Sequence, residues 1–261
     1  MKRKSRQAGV RRKTDVFSVM LAVFCLIIAA YAGILFIDKA AEYERSRRAY
    51  DAISAEAVKA PDENSGAGEE EGSDAPDSDD SLVIDWEAFR GEDVCAWLQI
   101  DDIGYPVLYS GDNEKYLHHL PDGSYNYGGS IFLDGDADPL FTGQNSILYG
   151  HNMADGSMFG SLRKRYGSEE SKDHTFSLYL PDGTRHVYQF FSVLSTGKDS
   201  DVYSTSFADA DEFLSWQEKM KADSLYGNEA QPERGARFVS LSTCNGYAGT
   251  SHRFVILAKE L

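Results

Sequence analysis

The chain has 261 residues, 42 acids against 26 bases and a formal net charge of −16. A balance that acidic excludes nucleic acid as the expected partner. Three cysteines are too few for a disulfide scaffold, and 42% hydrophobic residues is ample for a buried core.

Residues 1–15 form a basic tail in which Lys2, Arg3, Lys4, Arg6, Arg11, Arg12 and Lys13 stand without an acid among residues 1–13. Residues 16–37 follow as 22 residues without a charge, VFSVMLAVFCLIIAAYAGILFI. As a helix they extend about 33 Å, enough for a hydrocarbon core of about 30 Å. A cleaved signal peptide is the rival reading, but its apolar region spans only about 7–15 residues, and no clear small-x-small cleavage site follows before Asp38-Lys39. The stretch is read as an uncleaved single-pass anchor. Its basic flank places the N-terminus in the cytoplasm and everything after Ile37 outside.

Residues 38–60 are rich in helix formers of mixed charge and are expected to form a juxtamembrane helix. Residues 61–81 hold nine acids and no base, among Gly, Ser and Pro. They are read as a disordered, self-repelling linker, with calcium capture or partner binding as the functional alternative.

The folded domain is expected over residues 82–261. A short helix is predicted at 85–89, and strands at 96–100, 105–109, 129–133, 146–149, 175–180, 186–195, 237–243 and 253–259. Pro181-Asp182-Gly183-Thr184 is a hairpin turn between two of them. Helices are predicted at 158–166 and at 209–225, where Phe213, Leu214, Trp216 and Met220 form an apolar stripe. Many short strands with a few helices indicate a mostly β fold, a barrel or sandwich with peripheral helices.

The strand Phe238 to Cys244 ends in a thiol followed by the turn formers Asn245-Gly246. A nucleophilic cysteine needs a proton acceptor or a charge favouring thiolate, and a donor for the developing oxyanion. His151 lies on a similar strand-to-loop corner, Tyr149-Gly150-His151-Asn152, and is the first candidate base; His252, eight residues after Cys244, is the second. His118 and His119 are expected to be solvent-exposed, and His174 and His186 to lie at strand ends. Strand alternation puts Arg237 on the opposite face from Cys244, whereas a return of the chain brings Arg253 level with it. Cys95 reads as a buried small residue, although a bridge to Cys244 is allowed by count. No HExxH or CxxC is present, and Asp134-Gly135-Asp136-Ala137-Asp138 lacks the later residues of an EF-hand loop, so it is read as a solvated turn with no metal.

Taken together, Leu241-Ser242-Thr243-Cys244, Arg253 opening the last strand and Tyr149-Gly150-His151-Asn152-Met153 resemble the sortase family of cysteine transpeptidases, class B in particular. Further matching stretches are Ala96 to Ile100, Tyr105-Pro106-Val107, Asp112 to Leu117, Gly129 to Asp134 and Asp155 to Phe159. Class B enzymes commonly read Thr-Leu-x-Thr-Cys where this chain has Ser240 in the first place. The resemblance implies an eight-stranded sortase barrel without a cofactor, with Cys244 as nucleophile, His151 as acid/base and Arg253 as the oxyanion-side donor. It also implies that Asn113, Tyr149, Ser242 and Thr243 line the groove for a sorting signal. The implied reaction cleaves a secreted protein's C-terminal sorting motif after Thr through a thioester, then transfers it to an amine of a peptidoglycan precursor at a Gram-positive cell surface. Alternatives are a pilus-polymerising sortase that uses a pilin lysine, and a non-enzymatic membrane-tethered binding domain in which Cys244 is structural.

Overall fold

The computed structural model describes residues 16–59, 82–244 and 251–261. The basic tail, the acidic linker and most of the connection after Cys244 lie outside the described residues. One helix, α1 (Val16–Ala57), runs across the boundary that charge suggests at residue 37. The chain divides into two compact units, and that division falls within α1, between Glu44 and Arg45.

In the first unit α1 is apolar all round, with Ile27, Leu35 and Phe36 exposed. It is the one helix among the described residues long and apolar enough to cross a membrane. A helix with no polar face has nothing to present to water. Where charge begins, Lys39 pairs with Glu42 at 2.8 Å.

In the second unit the end of α1 packs on a β-barrel. Ala57 and Ile53 join a cluster with Phe89, Trp97 and Tyr179. The chain then extends into β1 (Val58–Lys59), which pairs with β2 (Val83–Ile84). A 3₁₀ turn at Trp86–Phe89 is capped by Asp85, whose side chain accepts from the Glu87 amide.

The barrel strands are β3 (Val94–Ile100), β4 (Ile103–Leu108), β5 (Ile131–Leu133), β6 (Asn145–Tyr149), β7 (Thr175–Tyr179), β8 (Arg185–Gly197), β9 (Phe238–Cys244) and β10 (His252–Glu260). They close in the order β10-β8-β7-β3-β4-β5-β6-β9, an eight-stranded barrel of mixed direction. An eight-stranded barrel is narrow enough for side chains to fill it. Accordingly β9 and β10 carry long buried runs, Phe238 to Thr243 and Phe254 to Ala258.

Two short helices complete the unit, α2 (Leu162–Tyr166) and α3 (Ala210–Ala222). Asp209 caps α3 by accepting from the amides of Asp211 and Glu212. Three of the four predicted stripe residues form the buried face: Phe213, Trp216 and Met220 pack with Phe191, Phe238, Val255 and Leu257, while Leu214 is only half-buried. Burying each such side chain contributes about 1.5–3 kcal/mol. The cluster clamps the start of β9, the strand whose other end carries Cys244. A buried polar relay fixes β9 sideways as well, since Ser240 Oγ donates to Asn145 Oδ1 at 2.9 Å and Asn145 Nδ2 donates to the carbonyls of Val202 and Ser204.

Two expectations are corrected here. The helix predicted at 158–166 begins only at Leu162, because Met158 has a positive φ of 51° and pairs with Asn152 instead. The strand predicted from Gly129 begins at Ile131, because Gly129 turns the chain with φ 55°.

Candidate active site

Strands β6 and β9 run parallel, with Tyr149 opposite Ser242, so their C-terminal ends reach the same rim of the barrel. The ladder continues one step further, where the Gly150 amide donates to the Ser242 carbonyl at 3.1 Å. That register delivers His151 and Cys244 to one place. Gly150 is required at the corner: a Cβ there meets Ile131 Cδ1 at 2.5 Å and Phe159 Cδ2 at 2.7 Å.

Antiparallel pairing with β10 sets Arg253 directly opposite Cys244. Directly opposed residues share a face, so the two side chains project to the same face of the ladder. One guanidinium N–H donates to the His252 carbonyl at 3.1 Å. All seven residues singled out in the sequence, Asn113, Tyr149, His151, Ser242, Thr243, Cys244 and Arg253, line one cavity of about 250 Å³. Leu117, Phe132 and Gly150 complete it. A larger recess of about 560 Å³ beside the end of α1 has neither histidine nor cysteine in its lining.

The His151 ring is mostly buried, and that burial lowers its pKa below the ordinary value. The Leu117 carbonyl acts in the other direction, and His118, stacked on His151 with ring centroids 5.5 Å apart, lowers the pKa further. Nε2 lies 2.8 Å from that carbonyl. A carbonyl only accepts, so Nε2 carries the proton and Nδ1 is the lone-pair nitrogen of the neutral ring.

The opposite wall is organised by Asp134. Its Oδ2 accepts from Tyr149 Oη and Asn113 Nδ2, each at 3.0 Å, while Asn113 Oδ1 accepts from the Gly135 amide at 2.8 Å. Burial, and then the Asp134 charge, push the Tyr149 phenol up, so it remains a donor. Tyr203 Oη lies 2.8 Å from Ser242 Oγ and stacks on Tyr149. The Thr243 hydroxyl oxygen is buried with no hydrogen-bond partner among the described residues.

The other candidates fall elsewhere. His252 is exposed and does not line the cavity. Arg237 precedes β9 at the far end from Cys244 and pairs with Glu260, which also binds His186. His174 is held by Asp101 at 2.8 Å. Cys95 and Cys244 are both free thiols, and burial pushes Cys95 up to about 12.

Two readings are corrected. His119 is half-buried rather than solvent-exposed, with Nδ1 2.6 Å from the Lys115 carbonyl, whereas His118 is exposed as expected while stacking on His151. Asp134 is not a solvated turn residue, being 7% exposed and central to the Tyr149–Asn113 contact. Only the pairing of β5 with β6 brings Asp134 next to Tyr149, so no local pattern signals it. Leu117 acts through its backbone, which a side-chain motif does not reveal.

A closed mixed barrel with a cysteine, a histidine and an arginine gathered at one rim defines a sortase-type thiol site. A family model for the sortase domain matches residues 98–261, and the chain belongs to the sortase family. Its similarities are to class B. Sortase B of Listeria monocytogenes is 36% identical over 156 residues, covering 59% of this chain and 63% of that protein. The alignment therefore spans less than two thirds of that relative's length. Sortase B of Staphylococcus aureus is 26% identical over 171 residues, 64% of this chain and 70% of that protein. Among solved structures, sortase B from B. anthracis superposes with a TM-score of 0.65 at 29% identity, covering 84% of this chain and 98% of that one.

Proposed function

We propose that this chain is a membrane-anchored cysteine transpeptidase that cleaves a C-terminal sorting signal after Thr and passes the protein to a cell-wall amine. The observation that carries this reading is the convergence of Cys244, His151 and Arg253 on one cavity at the ends of β6 and β9. The neutral imidazole, with Nε2–H committed to Leu117, has Nδ1 to take the thiol proton. The Cys244 sulfur attacks the Thr carbonyl, and Arg253, opposite it in the ladder, donates to the oxygen that gains charge. His151 returns the proton to the leaving amine, which leaves a thioester on Cys244. An incoming amine, as of a peptidoglycan precursor, loses a proton to His151 and displaces the thiolate.

The peptide is expected to lie along Asn113, Tyr149, Ser242 and Thr243, which line the cavity. In the same reading residues 16–37 are the membrane span, 38–60 the juxtamembrane segment and 61–81 the linker, with residues 1–15 cytoplasmic and 82–261 extracellular. Substrates and lipid-linked acceptors both arise at that surface.

The test is turnover of a panel of quenched sorting peptides by the full chain in detergent. Cys244→Ala is expected to abolish cleavage. His151→Ala is expected to cost about 10²–10⁴-fold and Arg253→Ala about 10²–10³-fold. Unchanged turnover in Cys244→Ala overturns the mechanism. Loss in His252→Ala with retention in His151→Ala overturns the assignment of the base.

A further inference from the structure

The carbonyl that binds the His151 ring is held by a set of contacts leading back to the segment of α1 from residue 45 to 57. Tyr50, 4% exposed, directs its phenol at the Gly129 carbonyl (2.8 Å) and at Ser130 Oγ (2.7 Å). Burial raises the pKa of this phenol, so it stays protonated and donates. The Ser130 hydroxyl donates onward to the His119 carbonyl at 2.7 Å, and the Ser130 amide donates to the Tyr116 carbonyl at 2.9 Å. The Asn126 amide takes the His118 carbonyl at 2.8 Å. Three carbonyls flanking that of Leu117, those of Tyr116, His118 and His119, are thereby tied down, while that of Leu117 faces His151 Nε2 at 2.8 Å. Gly129 closes the arrangement. Its φ is 55°, and a Cβ there meets the Leu117 oxygen at 2.3 Å, so the turn packs directly behind the acceptor.

A second arm reaches the backbone of the same histidine. The Tyr50 ring packs edge-on against Tyr105, with centroids 5.2 Å apart. Tyr105 Oη accepts from the Met158 amide at 3.0 Å, and the next amide, that of Phe159, donates to the His151 carbonyl at 3.0 Å. One buried side chain thus touches both the support of the imidazole and the support of its main chain.

We infer that Tyr50 and Ser130 are positioning residues for His151: they hold the Leu117 carbonyl as a fixed acceptor, so that the imidazole keeps its proton on Nε2 and exchanges protons at Nδ1. This rests on the reading of His151 as the acid/base. A carbonyl that drifts lets the neutral ring exchange tautomers or turn, and the nitrogen meant for the thiol is then occupied by a proton in part of the population. By this relay a helix that contributes no residue to the cavity bears on the acceptor of the His151 ring. The other ionisable groups around the ring are His118, stacked on it, and Tyr149, Cys244 and Arg253 around the cavity.

The full chain in detergent is compared with Tyr50→Phe, which keeps the ring against Tyr105, and with Ser130→Ala, which cuts the relay to His119. Thermal melts establish that each variant is folded, and either one suffices for the decision. Cleavage of a quenched sorting peptide is expected to show kcat lowered about five- to tenfold with KM within about twofold of the parent. Histidine labelled with ¹⁵N, assigned by the signals lost in His151→Gln, is expected to show a protonated Nε2 for His151 in the parent and averaged nitrogen shifts in the variants. Parent-like kcat and parent-like nitrogen shifts in a folded variant overturn the inference. If instead His151→Ala retains turnover, it is the acid/base reading that fails, while the nitrogen shifts still decide whether Tyr50 and Ser130 hold the ring.

Discussion

Replacing Asp134 with Ala tests the wall of the cavity opposite His151. The carboxylate is 7% exposed and accepts three hydrogen bonds: from Tyr149 Oη, from Asn113 Nδ2 and, at its other oxygen, from the Asp136 amide, all at 3.0 Å. A hydrogen bond to a charged group contributes about 1.5–3 kcal/mol, and a half-buried donor left without an acceptor costs about 1–3 kcal/mol. Part of this is offset because the variant no longer desolvates a carboxylate, and water reaches donors in an open cavity. The expected net loss is about 3 kcal/mol in urea unfolding of the full chain. Asp134→Asn, which keeps one acceptor oxygen and opposes a donor to the other partner, is expected to lose about half of that. Function is expected to move through binding. Tyr149 and Asn113 line the cavity and are both aimed by Asp134, so KM for a sorting peptide rises roughly tenfold and kcat changes less. A double-mutant cycle pairing Asp134→Asn with Tyr149→Phe isolates the contact, with an expected coupling of about 1–2 kcal/mol. A coupling under about 0.3 kcal/mol together with an unaltered KM refutes the reasoning, since the contact then organises neither the fold nor the groove.

Cys95 is expected to be chemically silent. With its pKa at about 12 from burial, its thiolate fraction at pH 8 is about three orders of magnitude below that of an ordinary thiol near 8.5. Iodoacetamide followed by peptide mapping checks this, and labelling of Cys95 at an ordinary rate contradicts it. His151 gives a pH signature of stability. Its folded pKa lies below the ordinary value, chiefly through burial, so the unfolded chain takes up a proton that the folded chain resists. Stability therefore falls as pH drops from about 6.5 towards the folded pKa, with a slope of at most about 1.4 kcal/mol per pH unit, and the dependence levels off below that value. The difference between the parent and His151→Gln in urea unfolding at several pH values measures it, and identical slopes contradict it.

Local pattern determined much of this protein before any tertiary contact was considered. The charge-free run over residues 16–37 is carried by α1, and Phe213, Trp216 and Met220 of the predicted apolar stripe are buried on α3. Period-two alternation and turn residues placed most strands within a few residues, because a half-buried strand has to alternate whatever it pairs with. A return of the chain after Cys244 set Arg253 level with it, as the register of β9 and β10 has it. The seven candidate site residues were singled out by motif, and they share one cavity. What remained hidden depends on partners distant in sequence. Gly129 could not be told from a strand residue, because its conformation is set by the Leu117 carbonyl packed against it. Asp134 looked like a turn acid until the pairing of β5 with β6 put it against Tyr149. The proton position on His151 was decided by a backbone carbonyl 34 residues away in sequence, held in turn from Tyr50 on α1. Periodicity and turn chemistry are local and can be read along the chain; a hydrogen bond across a barrel exists only once closure has chosen the neighbours.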